Sequence, residues 1–156
     1  MMPPDALNRW EARQMHDRPH DDDCIFCKIV AGDIPCHKLY EDDRVLSFLD
    51  IGPLSEGHSL VIPKGHYITL DQVPPETVEA CAAVARRVAV AVAASVPCQG
   101  WNLLQNNGKV AGQAVGHVHF HIIPRNEGDG LGYRWPAGQL DDAAAQRIKD
   151  AVAAKL

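Results

Sequence analysis

Nine residues, Gly116-His117-Val118-His119-Phe120-His121-Ile122-Ile123-Pro124, constrain this chain more than any other stretch. Histidines alternate with apolar residues, which is the period of a strand with one buried face. Alternate side chains share a face, so His117, His119 and His121 are expected in a row, neighbours about 7 Å apart. Val118, Phe120 and Ile122 then point into a core, and Pro124, with no N–H to give, ends the strand. One histidine here would be an ordinary half-buried residue. Three on one face are costly to keep for packing alone, because imidazole is polar and titrates near neutrality.

Two chemistries suit such a row. The rings can converge on a zinc ion that keeps water in a fourth position. Alternatively, one neutral imidazole attacks phosphorus while its other nitrogen gives its proton to a fixed acceptor. Periodicity leaves both open, although no carboxylate adjoins the row in the sequence to complete a hydrolytic metal site.

The chain around this stretch is ordinary for a soluble globule: 156 residues, 46% hydrophobic and 22% charged. That length predicts one domain with a sizeable core. A net charge of -5 argues against nucleic acid or an anionic membrane as partner, both of which need a basic face. No apolar run reaches the length of a membrane span, and residues 1–23 lack the layout of a signal peptide. Five cysteines, an odd number, suit a reducing cytoplasm better than a disulfide framework.

In chain order, residues 1–22 read as an arm, with Trp10 as an anchor and His16 and His20 idle. Asp21-Asp22-Asp23 would cap a short helix from Cys24 to Val30. Cys24 and Cys27, a C-x-x-C pair, read either as small buried residues or as half of a zinc site. Strands are expected at Cys36–Glu41 and Arg44–Leu49 around an Asp42-Asp43 turn, at His58–Pro63 and at Gly100–Gln105. Lys64 is expected in solvent. Pro74-Pro75 opens the longest helix, with an apolar stripe of Val78, Cys81, Ala82, Ala85, Val88, Ala89 and Val92. Asn106-Asn107-Gly108 marks a turn. Asp141-Asp142 caps a final helix that runs to Leu156.

The run from His117 to Ile123 resembles the motif of the histidine triad (HIT) family of nucleotide hydrolases and transferases, in its Hint-like branch. Cys24–Ile29, Glu41-Asp42-Asp43, Phe48-Leu49-Asp50-Ile51, Gly57–Lys64 and Gly112-Gln113 resemble further family segments in family order. Together they cover Asp23 to about Arg125. The resemblance implies an α+β HIT fold: an antiparallel sheet of about five strands, a long helix packed on it, and a dimer formed through Gly100–Gln105. The domain would span 23–126, followed by an extension over 127–156.

The same resemblance implies a substrate: a purine nucleoside phosphate cleaved at its α-phosphorus through a nucleotidyl-histidine. His119 would be the nucleophile, His121 a donor to a phosphate oxygen, and His117 and His58 orienting residues. Ile25, Phe26, Ile29 and Leu49 would form the slot for the base, and Asp50 would hold the ribose. Asn106, Gly112 and Gln113 would bind sugar or phosphate. Ala114 departs from the usual Ser or Thr, whose hydroxyl reaches the leaving group. Trp135, in a Trp-Pro-x-Gly run, would approach the partner's site. The chemistry needs no cofactor, but a structural zinc on Cys24, Cys27, His66 and His117 is expected. Phosphoramidates are the expected substrates; dinucleoside polyphosphates, or nucleotide binding without catalysis, are the alternatives.

Overall fold

The computed structural model describes residues 18–132 and 136–156. Trp10, His16 and Trp135 fall outside them. The elements are α1 (Ile25–Ala31), β1 (Lys38–Glu41), β2 (Val45–Leu49), β3 (Ser59–Pro63), α2 (Pro75–Ala93), β4 (Gly100–Gln105), β5 (Phe120–Arg125) and α3 (Asp142–Ala153). All five strands form one antiparallel sheet in the order β1-β2-β3-β5-β4.

Asp42 makes the first hairpin. Its Oδ1 accepts from the amides of Arg44 and Val45, both at 2.8 Å, while the Tyr40 hydroxyl donates to Oδ2. This is an Asx turn, the local bonding that favours Asp at chain reversals. Lys64 does not point into solvent. Its ammonium lies 2.7 Å from Glu41, with the side chain largely covered.

Helix α2 starts at a proline, which loses nothing at a position whose N–H has no helical partner. It buries Cys81, Val84, Ala85, Val88, Ala89 and Val92. Val84 takes the place expected of Ala82, which is exposed. The stripe is centred slightly off the all-alanine line because the larger side chain gains more from leaving water. The aspartates before α1 do not cap it. Asp21 bonds the amides of Asp23 and Cys24 in a turn instead, and α1 begins after Cys24 without a side-chain cap.

Side-chain parity divides the core in two. Val45, Val61 and Ile122 meet α2, whereas Leu46, Phe48, Leu60 and Ile62 meet Cys24, Phe26 and Cys27. A sheet covered on both sides explains why every residue of β3 is buried. Leu49 therefore faces the α2 side, and it lines a groove of about 540 Å³ with Leu39, Val88 and Val92.

Strand β5 differs from its expected span at both ends. It begins at Phe120, because pairing with β3 starts only at Val61↔Phe120, so His117 and His119 precede the strand. Pro124 lies inside it, paired with Trp101. The Arg125 carbonyl accepts from Gln99 on the β4 side, so Pro124 presents its missing N–H to the other side. There β3 pairing has already stopped at Ile122, and no ladder bond is lost.

Candidate active site

The four histidines and the cysteine pair converge on the sheet face that α1 covers. Phe26 lies between them: its ring meets the edges of His117, His119 and Phe48 at centroid distances of 5.8, 5.4 and 5.7 Å. His119 and His121 are 4.7 Å apart between centroids. Ile29 packs against this cluster and Ile25 stays exposed. Leu49 does not join the slot, because the two-residue period sends it to the opposite face; Phe48 stands in its place.

Hydrogen bonds assign each ring a tautomer, since a neutral imidazole has one donor and one acceptor nitrogen. The His119 Nδ1–H donates to the His117 carbonyl at 2.7 Å, leaving Nε2 with a free lone pair. The Leu54 amide donates to His58 Nδ1 at 3.1 Å, so the proton of His58 resides on Nε2. That Nε2–H lies 2.9 Å from His121 Nδ1, which must accept, and the proton of His121 is left on Nε2. Asp50 is beside this pair, with Oδ2 3.7 Å from His58 Nε2 and Oδ1 accepting from the Gly52 amide at 2.8 Å. Burial lowers the pKa of His58 and pushes that of His121 down to about 4, favouring the neutral rings this network requires.

His117 is turned away from that work. It is fully buried, its Nε2–H donates to the Pro63 carbonyl at 2.9 Å, and burial pushes its pKa down to about 4. Its Nδ1 instead faces Cys24 Sγ at 3.5 Å and Cys27 Sγ at 3.7 Å, and His66 Nδ1 lies 3.4 Å from Cys27 Sγ. These four ligand atoms all lie within 4.8 Å of one another. Two thiols and two imidazole nitrogens at that spacing fit a tetrahedral zinc with a closed shell. Burial, foremost, holds the Cys27 thiol up at about 11; a bound cation would reverse that shift by favouring the thiolate.

The approach loop is built differently from expectation. Gln113 spends its whole side chain inside the loop: Oε1 accepts from the Gly108 amide, and Nε2 donates to the carbonyls of Ile68 and Val115. Its backbone amide donates to Gly108 and that of Gly112 to Lys109. Gln113 is thus the brace of the loop, and its amide is not free for phosphate. Among the described residues, the amides of Ala114, Val115 and Gly116 have no partner, so they replace those of Gly112 and Gln113 as candidate anion donors. Gly112 has φ +91°, and a Cβ there would come within 3.5 Å of the Asn106 amide, which brings Asn106 to the loop. Phe48, the Pro63 carbonyl and the Leu54 amide were missed from sequence. Strand parity could have revealed Phe48, but no sequence signal marks the two backbone groups.

Comparison with known proteins agrees with this geometry. The family model described as HIT domain matches residues 31–128. Adenosine 5'-monophosphoramidase hnt1 of Schizosaccharomyces pombe is 46% identical over 134 residues, covering 85% of this chain and 98% of that protein. Adenylylsulfatase HINT3 of Arabidopsis thaliana is 47% identical over 130 residues, 81% of this chain and 66% of that protein. The crystal structure of a HIT family protein from Bacillus anthracis superposes with a TM-score of 0.82 at 43% identity, covering 86% of this chain and 98% of that one. A Zn-bound histidine triad family protein from Mycobacterium smegmatis superposes with a TM-score of 0.67 at 42% identity, covering 83% and 97%. With the histidine cluster, the sheet and the sequence all in agreement, the chain belongs to the HIT family.

Proposed function

We propose that this protein is a nucleotidyl hydrolase or transferase that acts at the α-phosphorus of a purine nucleoside phosphate, with phosphoramidates as its main substrate class. The observation that carries the reading is the His119 Nδ1–H bond to the His117 carbonyl, which in the neutral ring leaves the Nε2 lone pair as the nucleophile. The names of two relatives, an adenosine 5'-monophosphoramidase and an adenylylsulfatase, support an adenylyl substrate.

In the first step His119 Nε2 bonds to phosphorus and becomes a cationic nucleotidyl-imidazolium. The bond to the leaving atom breaks, and the leaving atom takes the proton of His121 Nε2, whose resulting negative charge the neighbouring His119 cation offsets. In the second step water adds hydroxide to phosphorus and returns its proton to His121, and His119 departs. Phe26, Phe48 and Ile29 supply the apolar wall for the base, while Asp50 accepts from the ribose hydroxyls. The amides of Ala114 to Gly116 and the Asn106 side chain stabilise the phosphate charge.

His119→Ala should abolish turnover of an adenosine 5'-phosphoramidate, by at least about 10³-fold, while adenosine monophosphate still binds in calorimetry. Turnover near the parent rate would end the nucleophile assignment. One feature favours a second substrate class. Ala114 offers no hydroxyl proton, which suits a dinucleoside polyphosphate, whose leaving group departs without one. Rates on the two substrates measured side by side separate these readings.

The same proposal includes a structural zinc on Cys24, Cys27, His66 and His117, outside the chemical steps. It also includes a homodimer through β4, the edge strand, where Trp101 and Leu103 stay 43% and 48% exposed. All five cysteines are free, consistent with a reducing cytoplasm.

A further inference from the structure

We infer that the backbone N–H of Leu54 is a positioning group for this site: acting through His58, it fixes which nitrogen of His121 carries the proton offered to the leaving group. The inference rests on the reading above and assigns a role to the loop over 52–57, which no side-chain chemistry marks. The Leu54 side chain is itself 55% exposed and takes no part.

A chain of donors and acceptors runs from Leu54 through His58 to His121. Were His58 protonated on Nδ1, two N–H groups would face each other across the 3.1 Å between Leu54 and the ring. His58 is 2% exposed, so water cannot readily replace the lost bond. With Nδ1 accepting, Nε2 must donate to His121, and His121 must present its own proton from Nε2. Reversing the first bond reverses all of them. His121 would then hold its proton against His58 and offer the substrate a bare nitrogen. Two such nitrogens, on His119 and His121, would leave an amine leaving group without a proton source, since Ala114 supplies none.

The loop is held firmly enough to do this. Asp50 Oδ1 accepts the Gly52 amide and the Ser55 carbonyl accepts the His58 amide at 3.1 Å. Gly57, at φ +82°, sits against Val92, Val96 and Pro124 so closely that a Cβ would lie 2.9 Å from Val92 Cγ1. Asp50 Oδ2, at 3.7 Å from His58 Nε2, is the only carboxylate near that ring among the described residues; it competes weakly for the same proton and does not alter the direction of the relay.

Leu54→Pro removes the N–H, whereas Leu54→Ala keeps it. Relative to Leu54→Ala, Leu54→Pro should lose about 100-fold in kcat on an adenosine 5'-phosphoramidate. It should stay within about threefold on the p-nitrophenyl ester of adenosine monophosphate, whose leaving group needs no proton. Equal losses on both substrates would reduce Leu54 to a structural role and overturn the inference. A measurement on the unaltered protein guards against failure of the proline variant to fold. Nitrogen NMR should show His58 and His121 both as Nε2–H tautomers, with a coupling across the hydrogen bond from the Leu54 amide to His58 Nδ1. An Nδ1–H tautomer at either ring overturns the relay whatever the substrate proves to be, so this result is separate from the fate of the proposed activity.

Discussion

Each imidazole in the site has one nitrogen already committed, and that commitment decides what the other can do. His119 is committed to a backbone carbonyl, His58 to a backbone amide, and His117 to Pro63. Burial favours the neutral form of His58, His117 and His121, with consequences for stability. For His121 the unfolded chain takes a proton near pH 6.5, but the folded chain does so only near about 4. Between those values the unfolded state binds more protons, so stability rises with pH there. It is fully present above the unfolded value, falls as pH drops toward about 4, and levels off below. His58, shifted in the same direction, adds to the slope. The urea midpoint should therefore decline between about pH 7 and pH 4.5, and decline less steeply in His121→Gln. Identical slopes in the two proteins would contradict the assignment. The residue type and spacing of the histidines were legible from the sequence. Which nitrogen each ring presents was not, since that depends on backbone groups distant in the chain.

The strands and helices hold these residues by parity and by close approach. Phe48 and Leu49 are both apolar and adjacent, so composition cannot choose between them. The register of β2 against β3 sends Phe48 to the catalytic face and Leu49 to the α2 side. Similarly, the histidine run reads as one continuous strand, yet β5 pairs with β3 only from Val61↔Phe120 onward, and the Val118 amide bonds to the Tyr67 carbonyl instead. Gly57 shows an element boundary set by space. It needs a positive φ, and a side chain there would press on Val92 and Val96 of the α2 end. Gly57→Ala should thus destabilise the protein by ~1–3 kcal/mol in urea titration, through strain and overpacking together. A change below about 0.5 kcal/mol would mean the loop relaxes freely. Helix α3 makes a contrast. Asp141 caps it through the Ala144 amide as its sequence indicates, but none of its residues is buried.

Across the whole molecule, one cluster ties together parts far apart in sequence. Cys24 immediately precedes the first helix and Cys27 lies in it, His66 follows β3, and His117 precedes β5. His66 is further held through its amide on the Pro19 carbonyl at 2.7 Å. A zinc bound there would join α1 to the sheet and fix the His117 backbone whose carbonyl orients His119. Protein purified without added metal should contain about one zinc per chain. Chelation should lower the melting temperature, by about 2–4 °C for each kcal/mol of binding energy lost at this length. Protein free of metal that melts at the same temperature with and without chelator would remove the zinc from this account.

By itself the sequence determined the local chemistry of this protein. Alternating histidines, the C-x-x-C pair, the Asp42 turn and the proline start of α2 each follow from neighbours along the chain, and neighbours are what a sequence displays. Tertiary structure alone decided how that chemistry is divided. It drew His117 toward the cysteines, turned Gln113 inward as a brace, placed Phe48 rather than Leu49 at the site, and oriented His121 through the Leu54 amide. Each of those outcomes depends on a hydrogen bond or contact that forms only after folding, between groups whose composition gives no sign of their pairing.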